Sequence, residues 1–209
     1  MIQTIPVNKT TLYELEQLFG LVENESPQFF TEWLALTSEV SDREIQALQR
    51  MKSNFKYLIK DPPLLEGGVK MVILAPLLDL AEFYQPPFRI KPELSVAIEI
   101  PIDDETVLRG NIDVLVLCKT LWFCVIEAKM TGFSLNVALP QTLSYMLASP
   151  TQPCFGLITN GYEFLFVKLT QDGNPQFGTS KIFSLYGPGN ELVEVFKILC
   201  HLARSIAAR

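Results

Sequence analysis

The sequence predicts an α/β fold, a mixed central β-sheet flanked by helices with an N-terminal helical extension. Three observations predict it. The first sixty residues carry helix-start signals followed by apolar residues at helical spacing. Residues 94–169 hold strand-like apolar runs interrupted by one helical stretch, and the last twenty residues return to a helical period. Helices, three strands, a helix, a hairpin and a helix, in that order, describe a sheet with helices packed on it. Residues 1–62 are expected to form the extension, packed on a core unit of residues 63–209.

The elements follow in chain order. Thr11 and Glu14 form a capping-box pair ahead of Leu12, Leu15, Leu18 and Phe19. Ser41 and Glu44 form a second, opening a helix to Lys60 with Ile45, Leu48, Met51, Phe55 and Leu58 on its apolar face, closed by Pro62-Pro63. A third helix is expected from about Glu66 to Tyr84, with Val69, Ile73, Pro76, Leu77 and Leu80 facing the core and Pro76 kinking or splitting it. Strands are expected over Leu94–Ile102, Asn111–Leu117 and Leu121–Lys129, joined by turns at Asp103-Asp104-Glu105 and Cys118-Lys119-Thr120. Ser134–Ala148 reads as a helix that contains Pro140. Phe155–Thr159 and Tyr162–Leu169 flank Asn160-Gly161, a strong hairpin signal. A short strand over Ser180–Tyr186 and an amphipathic helix over Asn190–Ala207 complete the chain.

Composition narrows the function. The chain has 209 residues, 48% hydrophobic and 19% charged, which is enough for a buried core and argues against disorder. A net charge of −6 argues against a protein that coats nucleic acid by bulk electrostatics. Cys118, Cys124, Cys154 and Cys200 form no C-x-x-C pair and lack zinc-ligand spacing, so they read as free buried thiols of a reducing compartment. No secretory signal opens the sequence, and its longest apolar stretch, Met71–Leu78, is too short for a membrane span. A cytoplasmic protein without membrane contact is expected. Nucleophile-elbow, phosphate-loop and dinucleotide-binding glycine patterns are absent, and the single histidine, His201, sits in the last helix.

One local violation carries chemistry. The run Leu121–Ile126 is apolar on both faces, as in a central buried strand, and continues as Glu127-Ala128-Lys129. Glu127 and Lys129, two apart, project on one face from the end of that strand. The neighbouring run Ile112–Leu117 carries one acid, Asp113. A hairpin between the two brings Asp113 near Glu127, and carboxylates that close repel unless a cation lies between them. Hard divalent ions suit such a pair, Mg²⁺ above all where phosphate is the substrate. A buried Glu127–Lys129 or Asp113–Lys129 ion pair is the alternative reading.

Asp113, thirteen intervening residues and Glu127-Ala128-Lys129, across two buried strands and followed by a helix, resemble the PD-(D/E)XK nuclease superfamily. Gln141 and Tyr145 on the next helix are similar to the Q-x-x-x-Y element of its helicase-associated branch. Phe155–Phe164, with its Thr159-Asn160-Gly161, resembles the hairpin of the N-terminal nuclease domain of type I restriction R subunits. The resemblance covers residues 64–170, about half the chain. Ile112 stands where many members have proline, and no motor domain follows within these 209 residues.

The resemblance implies a restriction-endonuclease-like fold and a metal-dependent endonuclease acting on DNA. It implies Mg²⁺ or Mn²⁺ held by Asp113, Glu127 and the Ala128 carbonyl, with Lys129 assisting the attacking water. Gln141 would keep the site's geometry or touch phosphate, and Tyr145 would pack behind it or meet the nucleic acid. The family's acid on the preceding helix falls on Glu66 in preference to Glu82; Glu66 equally suits a helix N-terminus. Lys52, Lys56 and Lys60, four apart on one flank, are the expected phosphate contacts, with a solvated helix face as the alternative. A separate motor or specificity protein and a homodimer are the implied partners. A non-catalytic binding or assembly module that keeps the fold is the competing reading.

Overall fold

The computed structural model describes residues 3–34, 39–100, 103–118, 121–187 and 189–207. Its centre is a mixed sheet in the order β1 (Gln3–Pro6), β4 (Asp103–Cys118), β5 (Leu121–Ala128), β6 (Cys154–Thr159), β7 (Glu163–Thr170), β8 (Gln176–Thr179) and β2 (Val22–Glu23). The strand β3 (Phe88–Ile100) pairs with β4, and β9 (Phe183–Ser184) pairs with β7. Contacts β3–β4, β4–β5, β6–β7, β7–β8 and β7–β9 are antiparallel; β1–β4, β5–β6 and β2–β8 are parallel. The parallel β5–β6 step needs a crossover, and α5 (Leu135–Leu147) supplies it.

Helices cover both faces. On one, α2 (Asp42–Leu58), α4 (Ala75–Leu80) and α6 (Glu191–Ala207) pack Leu48, Phe55, Leu77, Leu78, Phe196 and Leu199 onto Val116, Ile126, Leu157 and Phe166. On the other, α1 (Leu12–Phe19) and α5 pack Leu15, Leu143 and Met146 onto Leu115, Val125, Ile158 and Val167. Strands between two such layers alternate between cores on consecutive residues, which explains the continuous apolar runs of β5 and β6. Both expected capping boxes form: the Thr11 and Ser41 hydroxyls accept from the Glu14 and Glu44 amides, and the glutamates accept in return. Among the described residues no helix is long and apolar enough to cross a membrane.

Several expectations change. Residues 1–62 are not helical throughout, because β1 and β2 join the sheet. Short polar segments such as Gln3–Pro6 carry little period-two signal, and only an open sheet edge recruits them. Asp103-Asp104-Glu105 lies inside β4 rather than in a turn, and β3 begins at Phe88 rather than Leu94. Residues 119–120 of the second expected turn lie outside the described residues. The last expected strand shrinks to β9, and β8 precedes it.

The third helix also differs. It runs as α3 (Glu66–Val69), a π-helical stretch (Lys70–Leu74) and α4, and ends at Leu80. Pro76 cannot donate a hydrogen bond, and the wider π turn lies immediately ahead of it. The extra residue rotates the apolar stripe, so Leu74 and Leu78 are buried while Pro76 is exposed.

Candidate active site

The site forms where β4 loses its neighbours. Along one edge of β4, β1 pairs with Thr106–Arg109 and β5 with Val114–Cys118, leaving Gly110–Asp113 between them. Two side chains fill the gap. The Tyr145 hydroxyl lies against the β4 backbone at Gly110, and Asp113 Oδ2 accepts from the Ala128 amide at 2.8 Å. Asp113 stands opposite Glu127, one step past the last backbone pair, Val114–Ile126. Its carboxylate thus replaces a ladder bond at the point where the strands part.

The opposite edge of β4 is also disturbed here. The β3–β4 ladder passes from Pro92–Val114 to Leu94–Ile112, and Glu93, facing Asp113, has φ +49°. Side-chain alternation flips at this step. Ile90 and Val114 belong to the α2/α4/α6 core, whereas Leu94 and Ile112, at the same parity, belong to the α1/α5 core. A left-handed glutamate inside a strand costs about 1–3 kcal/mol and persists only where its surroundings impose it.

Glu127, 1% exposed, is the penultimate residue of β5 and stands beside Asp113. Its Oε1 contacts Lys129 Nζ, whereas the buried Oε2 has no hydrogen-bond partner among the described residues. Burial foremost, then the Asp113 charge, pushes the Glu127 carboxyl up to about 8 against the pull of Lys129. Burial raises Asp113 as well, opposed by hydrogen bonds from Lys70 and the Ala128 amide. Lys129 Nζ also donates to Gln141 Oε1 at 3.1 Å, and Gln141 Nε2 donates to Tyr145 Oη at 3.2 Å. One polar chain therefore runs from Glu127 through Lys129 and Gln141 to Tyr145.

The Thr159-Asn160-Gly161 turn anchors Lys129 from the other side. Thr159 carbonyl accepts from the Lys129 amide at 2.8 Å. Asn160 Oδ1 accepts from the Tyr162 and Glu163 amides, and its Nδ2 donates to the Phe133 carbonyl. Gly161 has φ +85°, and a Cβ there would lie 2.5 Å from the Phe55 ring. Three residues, not two, connect β6 to β7.

Glu66 opens α3 near this cluster, whereas Glu82 is exposed beyond the helix end. The residue that sequence reasoning missed is Lys70. Its Nζ lies 2.7 Å from Asp113, 2.8 Å from Glu93 and 2.9 Å from Glu66. Burial alone would lower its pKa, but the three carboxylates outweigh burial and raise it. The available signal was a lone lysine one turn after Glu66 in the otherwise apolar run Val69–Leu78.

Two placements differ from expectation. Tyr145 is 1% exposed and offers no surface to a polynucleotide; its place is behind Gln141. Lys60 lies past the end of α2, which stops at Leu58, so only Lys52 and Lys56 share the helix. The lysine flank nonetheless lies at the same end of the sheet as Lys129. Lys56 Nζ sits 4.8 Å above the Tyr186 ring, Tyr186 is 5.5 Å from Tyr162, and Tyr162 packs edge-on against Phe55. A groove of about 540 Å³ between α2 and α4, lined by Arg43, Arg50 and Asp79 among others, includes none of the acid cluster.

The donors fit a hard divalent ion in kind: buried carboxylate oxygens, one of them orphaned at Glu127 Oε2. They do not fit one as they stand. Among the described residues no three His, Cys, Asp or Glu side chains gather closely enough to hold an ion, and lysines contact both Asp113 and Glu127.

Gly110→Ala probes the gap in β4. The added Cβ would lie 2.5 Å from Tyr145 Oη and 3.0 Å from Val7 Cβ. Thermal unfolding is expected to show a loss of about 1–3 kcal/mol. A variant as stable as the parent would mean that Tyr145 is free to move.

No family model matches this chain, and no curated protein does.

Proposed function

We propose that the chain is a metal-dependent phosphodiesterase domain that hydrolyses DNA, built on a restriction-endonuclease-like sheet. The observation that carries this reading is Glu127. A buried carboxylate with one unpartnered oxygen, opposite a second buried carboxylate and touching a lysine, is costly in a purely structural role. A divalent ion, when bound, supplies Lewis-acid polarisation of a phosphodiester oxygen and acidifies water. Asp113 and Glu127 would hold it, with Glu66 and the Ala128 carbonyl as further oxygen ligands.

Lys129 orients the attacking water and offsets the negative charge that builds on the phosphoryl oxygens. Water oxygen bonds to phosphorus and gives up a proton to solvent, the ester P–O bond breaks, and the departing oxygen takes a proton from solvent. Gln141 holds Lys129 in place, and Tyr145 holds Gln141. Lys52, Lys56 and Lys60 would contact the phosphates, a reading supported by Lys56, whose amine sits over the Tyr186 ring beside the Tyr162 turn. With a net charge of −6, the domain depends on that local strip or on a partner, such as a motor or specificity protein, for affinity.

A second reading has its own support. Lys70 and Lys129 already contact Asp113 and Glu127, as they would in a non-catalytic module that keeps the fold. Supercoiled and linear DNA incubated with Mg²⁺ or Mn²⁺, or with EDTA, separates the two. Divalent-dependent cleavage by the parent, lost in Asp113→Ala, is expected. Equal cleavage by both proteins, or none by either, refutes the enzyme.

A further inference from the structure

We infer that Lys70 is a built-in counter-cation, which occupies the acid cluster while no divalent ion is present and must withdraw before one binds. The inference rests on the metal-site reading above and goes beyond it, to what controls loading. Lys70 Nζ has three protons and three carboxylate partners, from α3, β3 and β4, all within 2.9 Å. Two of those partners, Asp113 and Glu66, are proposed metal ligands. Asp113 Oδ2 is already taken by the Ala128 amide, so the oxygen Lys70 occupies is the one an ion needs. Two cations cannot share that oxygen at contact distance without strong repulsion.

The local structure suits a side chain that moves. Lys70 is 22% exposed, so its flexible stem has an open path outward. Glu93, an anchor of Lys70, holds a strained left-handed backbone directly opposite Asp113. Lys70 opens the π-helical stretch, a distortion frequent at functional positions. While Lys70 is in place, the buried Asp113 is compensated without any metal, so the fold forms first and the ion loads later.

Competition of this kind lowers apparent affinity by the fraction of molecules with the site free. The test is calorimetric titration of Mn²⁺ alone into the full chain, for the parent, Lys70→Met and Glu93→Gln, with thermal unfolding of each to verify folding. If Lys70 fills the cluster nine-tenths of the time, Lys70→Met binds about tenfold more tightly than the parent. Glu93→Gln removes an anchor of Lys70 and is also expected to bind more tightly, by a smaller factor. That second result is the discriminating one. Simple charge bookkeeping predicts weaker cation binding when an acid is removed, so tighter binding there comes only from releasing Lys70. Measurable binding by the parent with unchanged or weaker binding by Glu93→Gln overturns the counter-cation role and leaves the metal site standing. Should Lys70→Met not fold, Glu93→Gln decides alone. Absence of binding in all three at millimolar Mn²⁺ overturns the metal site itself, and the counter-cation role with it.

Discussion

Glu127→Gln is expected to remove most of the pH dependence of stability between about pH 5 and pH 8 in metal-free buffer. The Glu127 carboxyl titrates near 4.5 when unfolded and at about 8 in the folded chain, chiefly because it is buried. Between those values the folded state holds a proton that the unfolded state has released. Stability from this group is therefore fully present below the unfolded value and is lost as pH rises through the folded one. A shift of this size corresponds to a change on the order of 4 kcal/mol across the window. Burial raises Asp113 too, so a weaker slope of the same sign is expected to survive in the variant. Glutamine keeps the shape without the charge, so Glu127→Gln should be more stable than the parent at pH 8.5 and similar to it at pH 5. Urea unfolding at pH 5, 7 and 8.5 in EDTA measures this. Parallel curves for the two proteins would show that Glu127 is not the group responsible.

Lys129→Ala is expected to lower kcat for divalent-dependent DNA cleavage by about 10²–10³-fold with little change in KM. Removing one group that stabilises developing charge typically has that effect. The variant should still bind Mn²⁺, because Asp113 and Glu127 remain. It should also fold below pH 8, where Glu127 is mostly protonated and loses little with its partner. Gln141→Leu should give a smaller fall in kcat, since Gln141 acts by holding Lys129 at 3.1 Å. Lys129→Ala turning over at the parent rate would remove the lysine from the chemistry even if the metal site holds.

The elements most legible in the sequence were those with local causes. Two capping boxes, the Asn160-Gly161 turn and the apolar runs of β5 and β6 each follow from a few adjacent residues. Illegible elements depended on distant ones. Gln3–Pro6 becomes a strand because β4 offers a free edge at Thr106–Arg109. Leu74 and Leu78 join Ile73 and Leu77 on the buried stripe while Pro76 leaves it, because a π-helical turn inserts a residue that helical periodicity cannot anticipate.

The site divides along the same line. Asp113, Glu127 and Lys129 stand out in the chain because charge in a buried apolar run is expensive, and that cost is a property of the local sequence. Gln141 and Tyr145 could be singled out by spacing, but their chain of hydrogen bonds to Lys129 exists only once α5 crosses the sheet. Lys70 and Glu93 could not be placed, since they meet Asp113 from 43 and 20 residues away in the chain. Which acids lie in the sheet is thus a matter of composition and period, determined by the sequence itself. Which cation compensates them is decided by the tertiary structure, because that depends on a helix and a neighbouring strand arriving at the same oxygen atom.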